Sequence, residues 1–339
     1  MVNALTPKHL AEKRAGFHEF VLMVNVVSSN IFYKSIWSSY IQRRLVYDVN
    51  MFIMVFLSNS LYPDFEKTFF PFFLCVAIMY LSIGLQYLLH IRTGLDYGDK
   101  RTCQAFASVA FVISFLSFLS LVLPQSIHYI PGFLGVFIAA TGLIPFQKYL
   151  VLSPVNMMHL VERFSLLTII IFGEVLVGLA SSSFSIDHFS YIYIFQFMIL
   201  ISLFGVYWII TENYINHKLS SIGFRLSYTH LLINIALGVI NAAIVFSNNN
   251  KLNDLFEINM MYISVLIFYI GLWLITPYFH NELTNAKYIS SSLGILVVSY
   301  IISLIFKGHD QVMIISVSVA TFCIMLIYFK NQRLRNKNE

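Results

Sequence analysis

Charge is scarce in this chain. Aspartate, glutamate, lysine and arginine make up 11% of the 339 residues, against about 25% in ordinary soluble domains. A globule with so few ionised groups could not cover its surface, so a soluble fold is excluded. Cysteine is scarcer still. Cys75, Cys103 and Cys323 show no C-x-x-C spacing, which rules out a disulfide framework or a thiolate metal site. Cys75 and Cys323 lie inside apolar runs and read as small core residues. Eight prolines and 15 glycines leave most apolar stretches uninterrupted. Short segments of alternating polarity, the mark of an outer-membrane barrel, are missing. So are H-E-x-x-H, G-x-S-x-G and a phosphate-cradling glycine loop. No cofactor and no metal is expected. The net charge of +5 is too modest for a nucleic-acid footprint.

What the chain has in abundance is apolar surface: 58% hydrophobic residues and a mean hydropathy of +0.76. The fold class is all-α, a polytopic transmembrane helix bundle whose partner is the lipid bilayer. Eleven candidate spans can be placed, at 19–41, 47–62, 69–91, 104–123, 130–147, 158–180, 190–212, 227–246, 258–278, 288–306 and 311–329. The second is short. Asn25, Ser28, Ser29, Asn30 and Lys34 interrupt the first. Residues 1–17 form a polar tail with no compact apolar core, so no cleavable signal is expected there. Residues 18–329 read as a single transmembrane domain and 330–339 as a basic tail.

Lysine and arginine set the orientation. With the C-terminal tail in the cytoplasm, the inner segments are 42–47, 91–103, 148–157, 213–226, 279–287 and the tail. They collect thirteen of these residues, and the outer segments collect six. A cytoplasmic C-terminus in a cell membrane is the expectation. Eleven spans then leave Lys8, Lys13 and Arg14 outside. This calls for a first span that does not fully cross, or an ancestor with one more span in front.

Within this pattern, residues 157–180 stand out. They form a membrane-length apolar run that carries His159, Glu162, Arg163 and Glu174. Ionisable groups inside hydrocarbon are costly and mark function by default. On a helix at about 100° per residue, with His159 at zero, Arg163 falls at about 40°, Glu174 at about 60° and Glu162 at about 300°. One face therefore holds all four, together with Gly173. Val161, Phe164, Ile171, Phe172, Val175 and Leu179 fill the other. Glu174 lies about 16 Å beyond Arg163 along the axis, deep enough to need a partner, a water or a proton. The expectation is that the ionisable face turns toward neighbouring helices. Glu162 and Arg163 can also snorkel at the membrane edge.

The next two spans add Glu212, with Tyr207 and Trp208, and then His230, with Tyr228. Alternating span direction brings His159, Glu162, Arg163, Glu212 and His230 to one level, and Lys34 to a similar depth. Opposite charges there are expected to pair, because an unpaired charge is costly in low dielectric. The same network also reads as a scaffold that only locks helix packing. Gly135 with Ala139, and Gly238 with Ala242, have the four-residue spacing of closely packed membrane helices.

His159-Leu160-Val161-Glu162-Arg163-Phe164, Leu166, Thr168-Ile169-Ile170 and Phe172-Gly173-Glu174 resemble the signature of the bacterial low temperature requirement protein A (LtrA) family. That signature is a histidine–x–x–glutamate–arginine–aromatic stretch running into an apolar segment that ends in glycine–glutamate. Tyr207-Trp208 with Glu212, Tyr228 with His230-Leu231, and Trp37 with Tyr40 and Arg43 are similar to further family landmarks in the same order. The resemblance covers roughly residues 31–306 and implies membership and fold. The family name records a growth requirement in the cold and implies no substrate. At the start the chain departs: Met23, in the stretch from Glu19 to Val24, stands where the family has an aspartate.

Three functions compete. The first is a proton- or cation-linked transporter of a small solute. In it Glu174 is the ion site, Arg163 with Glu162 and Glu212 forms an inner gate, and His159 or His230 relays protons. Neither an inverted repeat nor a matched pair of broken helices supports it. The second is a non-catalytic scaffold or sensor that supports growth in the cold. The third is a lipid-headgroup enzyme, with Arg163 on a phosphate and His159 as general base; the missing hydrolase motifs weigh against an enzyme.

Overall fold

The computed structural model describes residues 50–57, 60, 65–92, 95–152, 154–183, 190–216, 219, 221–247, 253–279 and 286–335. After a helical stretch at 50–57, ten helices follow: α1 (Phe65–Ile91), α2 (Tyr97–Val122), α3 (Tyr129–Thr141), the single turn α4 (Gln147–Leu150), α5 (Met157–Ser183), α6 (Ile192–Asn213), α7 (Phe224–Ser247), α8 (Asp254–Leu274), α9 (Ala286–Ile305) and α10 (Asp310–Arg335). Among the described residues nine helical segments are long and apolar enough to cross a bilayer. α3 and α4, joined by a short 3-10 turn, count as one of them. The nine match the third to eleventh expected spans. The expected span 19–41 lies outside the described residues, and 47–62 is described only in part.

The chain divides into two compact units. One holds residues up to Leu160 together with Ser220–Gly223; the other holds Val161–Leu219 and Phe224 onward.

In the first unit the most extensive packing is between α1 and α2. Small groups permit it. A Cβ on Gly84 would stand 3.0 Å from the Phe111 ring. The Ser114 hydroxyl donates to the Ala77 carbonyl at 2.9 Å, and Tyr87 stacks on Phe106 with centroids 5.2 Å apart. α3 packs on α2, where buried Gly135 would place an added Cβ 3.7–3.8 Å from Leu116, Ile113 and Ser117, ordinary contact distances. The Thr102 hydroxyl donates to the Tyr149 carbonyl and ties α4 to α2. Val155 and Ser221 form an isolated antiparallel bridge. Beside it Gly223 takes φ +72°, and a Cβ there would run into Leu160. Both the left-handed backbone and the lack of room require glycine.

In the second unit α6 packs most extensively with α10, α7 with α8, and α9 with α10. Glycine again sets the approach. A Cβ on Gly271 would meet Ile233 at 2.7 Å, and one on Gly205 would meet the Met325 sulfur at 2.7 Å. Gly238 differs from the expectation of a packing glycine, because a Cβ there meets nothing within 4 Å. Arg225 donates its Nε–H to the Leu274 carbonyl at 2.8 Å, a cation at the negative end of α8. Gly308, at φ +93°, makes the turn from α9 into α10.

α8, α9 and α10 are joined by hydroxyls. The Tyr262 hydroxyl lies 2.6 Å from Ser299 Oγ, 2.8 Å from Ser303 Oγ and 2.9 Å from Ser316 Oγ. Ser316 also contacts Ser299 Oγ at 2.7 Å, Ser303 Oγ at 3.2 Å and the Ser299 carbonyl at 2.9 Å. In an apolar solvent such bonds replace the hydrophobic effect as the force between helices. Nearer the other end of these helices, Asn331 accepts from Tyr288 at 2.6 Å and donates to Tyr214 at 3.2 Å.

Candidate functional site

α5 carries the motif-bearing stretch, and its sides are sharply unequal. Val161, Phe164, Leu167, Ile171, Val175 and Leu179 are each 4% exposed or less. Glu162 and Glu174 are exposed, as are Leu166 and Ile170, while His159 and Arg163 are half-buried. The apolar face thus packs against its own unit and the ionisable face does not, whereas the expectation from the sequence was that the ionisable face turns toward neighbouring helices. The reason lies in bulk. Phe164, Ile171 and Phe172 fill the space against the ring systems of their own unit, Phe172 lying 5.3 Å from Phe204 and 6.3 Å from Phe268 between centroids.

The other expected residues divide likewise. Glu212 is exposed near the end of α6, Trp208 is 44% exposed and Tyr228 is half-buried. Lys34 lies outside the described residues. Tyr207 and His230 are fully buried, and these two the fold brings together.

His230 sits in the second turn of α7. Its Nδ1 lies 2.8 Å from the Leu226 carbonyl one turn earlier. A carbonyl can only accept, so Nδ1 carries the hydrogen. In the neutral ring Nε2 then offers a lone pair, and the Tyr207 hydroxyl, 3.2 Å away, donates to it. Phe164 of α5 covers the imidazole in a near-parallel stack, 4.8 Å between centroids at 22°. The Tyr207 oxygen lies 3.5 Å from Ser165 Oγ and within reach of the Thr168 hydroxyl. Thr168 has one proton and several acceptors for it: the Phe164 carbonyl at 2.9 Å, Asn234 Oδ1 at 3.2 Å, or Tyr207. The result is a buried polar chain, Ser165–Tyr207–His230 with Thr168–Asn234 beside it, drawn from α5, α6 and α7.

Its chemistry follows from the tautomer. A proton added at Nε2 turns that nitrogen from acceptor to donor. Tyr207 must then reverse and give its own proton to Ser165 or Thr168. Protonation of one ring therefore reorients a row of hydroxyls without moving a helix. Among the described residues no cluster of histidine, cysteine, aspartate and glutamate has the makings of a metal site.

Sequence reasoning passed over several of these groups. Ser165, Thr168 and Asn234 are small neutral residues in apolar runs. The signal available was Asn234 one turn after His230. Glu257 was also passed over. It is 2% exposed, the one buried carboxylate among the described residues. The expected span opened at residue 258, but α8 begins at Asp254, capped by the Asn253 side chain, which accepts from the Leu255 N–H at 3.0 Å. A carboxylate in the first turn of a helix is favoured by its dipole.

No curated protein and no solved structure matches the chain. A family model described as bacterial low temperature requirement A protein (LtrA) matches residues 8–332. That match takes in nearly the whole sequence, every spanning helix among the described residues and the polar chain just built, and with it the protein belongs to the bacterial LtrA family.

Proposed function

We propose that this membrane protein is a proton-linked secondary transporter of a small solute, with His230 and Tyr207 at its proton site. The observation that carries the proposal is an imidazole with no exposed surface, inside a span, whose Nε2 ends on a row of reorientable hydroxyls. An ionisable group buried within a spanning helix is a functional candidate by default. His159, Glu162, Arg163, Glu174 and Glu212 are assigned a second role, as the polar approach along the ionisable face of α5 and the end of α6. By this reading the protein sits in the cell membrane with its basic tail in the cytoplasm, as the lysine and arginine bias supports.

The experiment is reconstitution into proteoliposomes with a pH-sensitive dye inside and a panel of candidate solutes outside. Solute-dependent proton movement is expected. His230→Gln, which keeps a donor and an acceptor but binds no proton, should abolish the proton movement. A variant that still couples solute to proton flux would remove His230 from the site. A scaffold is the second reading, favoured by the two hydrogen bonds that already satisfy the His230 ring; it predicts proton-tight vesicles whatever the solute.

A further inference from the structure

Beyond the imidazole, α7 continues the same face with two asparagines. At about 100° per residue, Asn234 lies about 40° and Asn241 about 20° from His230 around the helix. Both are buried, at 2% and 6% exposure. Each has an unmet polar atom: Asn234 Nδ2 and Asn241 Oδ1 have no hydrogen-bond partner among the described residues. One is a donor and the other an acceptor, about 10 Å apart along the axis. Leu237 lies between them on this face, fully buried. At the far end the Asn241 amide lies against Gly178 of α5, close enough that a Cβ there would stand 3.1 Å from Oδ1 and 3.2 Å from Nδ2.

An unmet buried amide atom carries the full cost of its desolvation, and an apolar residue of similar size would avoid that cost. Two such buried atoms on one face, of opposite polarity, call for a small partner that both accepts and donates. The flanking Ile233, Ile240 and Ile244 of α7 and Ile171, Val175 and Leu179 of α5 are all buried and apolar. They offer nothing to balance a charge, so an ion is excluded as occupant.

We propose that water is bound along this face, one molecule accepting from Asn234 Nδ2 and one donating to Asn241 Oδ1, and that the hydrated face extends the His230 relay toward the C-terminal end of α7. Binding of water stands independently of transport. Its use as a proton path rests on the proton-linked function.

Two measurements on the full chain separate these claims. Radiolytic hydroxyl labelling with mass spectrometry marks side chains that touch bound water even where bulk solvent cannot reach. Leu237 is expected to be labelled as fast as half-exposed Leu274, although it is as buried as Leu272 of α8. The Asn234→Leu, Asn241→Leu double variant should lose that labelling. Leu237 labelled no faster than Leu272 in the unaltered protein overturns the proposal, and this arm needs no variant to fold. Proteoliposome proton flux is the second measurement. Its loss in the double variant supports the extended path, and full flux there overturns that part. Leu237 labelling in a protein that carries no protons upholds the bound water and rejects the transport function instead.

Discussion

The Tyr207 hydroxyl meets His230 Nε2 at 3.2 Å with the two rings nearly perpendicular, at 86°. Tyr207 is the donor, because the ring's hydrogen is on Nδ1 against the Leu226 carbonyl. Tyr207→Phe keeps the packing and removes the donor. An imidazole nitrogen left unmet in this interior should cost about 1–3 kcal/mol, seen as a lower Tm in detergent. Proton flux should fall with it. His230→Leu removes the imidazole and leaves the Tyr207 hydroxyl Ser165 as acceptor, so it should lower Tm less than Tyr207→Phe while abolishing flux altogether.

Two glycines of the α5–α7 region should respond in opposite ways to alanine. At Gly178 the new methyl meets the Asn241 amide at 3.1–3.2 Å, and crowding of that kind costs about 1–3 kcal/mol. At Gly238 it meets nothing within 4 Å, so the helix gains about 0.5–1 kcal/mol from the loss of glycine. Thermal unfolding of the two variants side by side tests the pair.

Gly223→Ala combines a left-handed backbone with a collision against Leu160. A strained residue of this kind costs about 1–3 kcal/mol. Reduced yield and a lower Tm are expected, and moving the side chain back with Leu160→Ala should restore only part of the loss, because the backbone strain remains.

Glu174→Gln should shift Tm little, since the side chain is exposed and an exposed charge interaction contributes about 0–1 kcal/mol. Transport assays then read its function with little folding effect. Flux that depends on pH in the parent and not in this variant assigns Glu174 to the ion approach; unchanged flux removes it from transport.

The spans were legible because each is a run of some twenty apolar residues, and length alone separates such a run from a loop. The direction each helix faces was not. Periodicity on α5 divides ionisable from apolar residues correctly, but two opposite orientations satisfy that division. Phe164, Ile171 and Phe172 decide it by packing, which appears only when α6, α7 and α8 are in place. His230 and Tyr207 were found through charge, aromatic character and family likeness. Asn234 gave no such sign, and Thr168 appeared only within the family-like motif with no role attached, because a threonine or an asparagine within an apolar run looks like tolerated polarity until its neighbour across the interface is known. Glu257 was lost to a boundary: a helix that starts four residues earlier turns a loop acid into a buried one.

The hydroxyls around Tyr262 have a consequence for how this region withstands sequence drift. The serines at 299, 303 and 316 offer more short oxygen pairs than they and the tyrosine have protons to fill, so any one serine can be lost while the remaining protons redistribute. Ser303→Ala should cost less than the average interhelical bond, about 0.6 kcal/mol, whereas Tyr262→Phe empties the hub and should approach the upper value of about 1.7 kcal/mol. A saturation scan would show a steep optimum at one tyrosine surrounded by forgiving serines: redundancy distributed over three helices and anchored at a single ring.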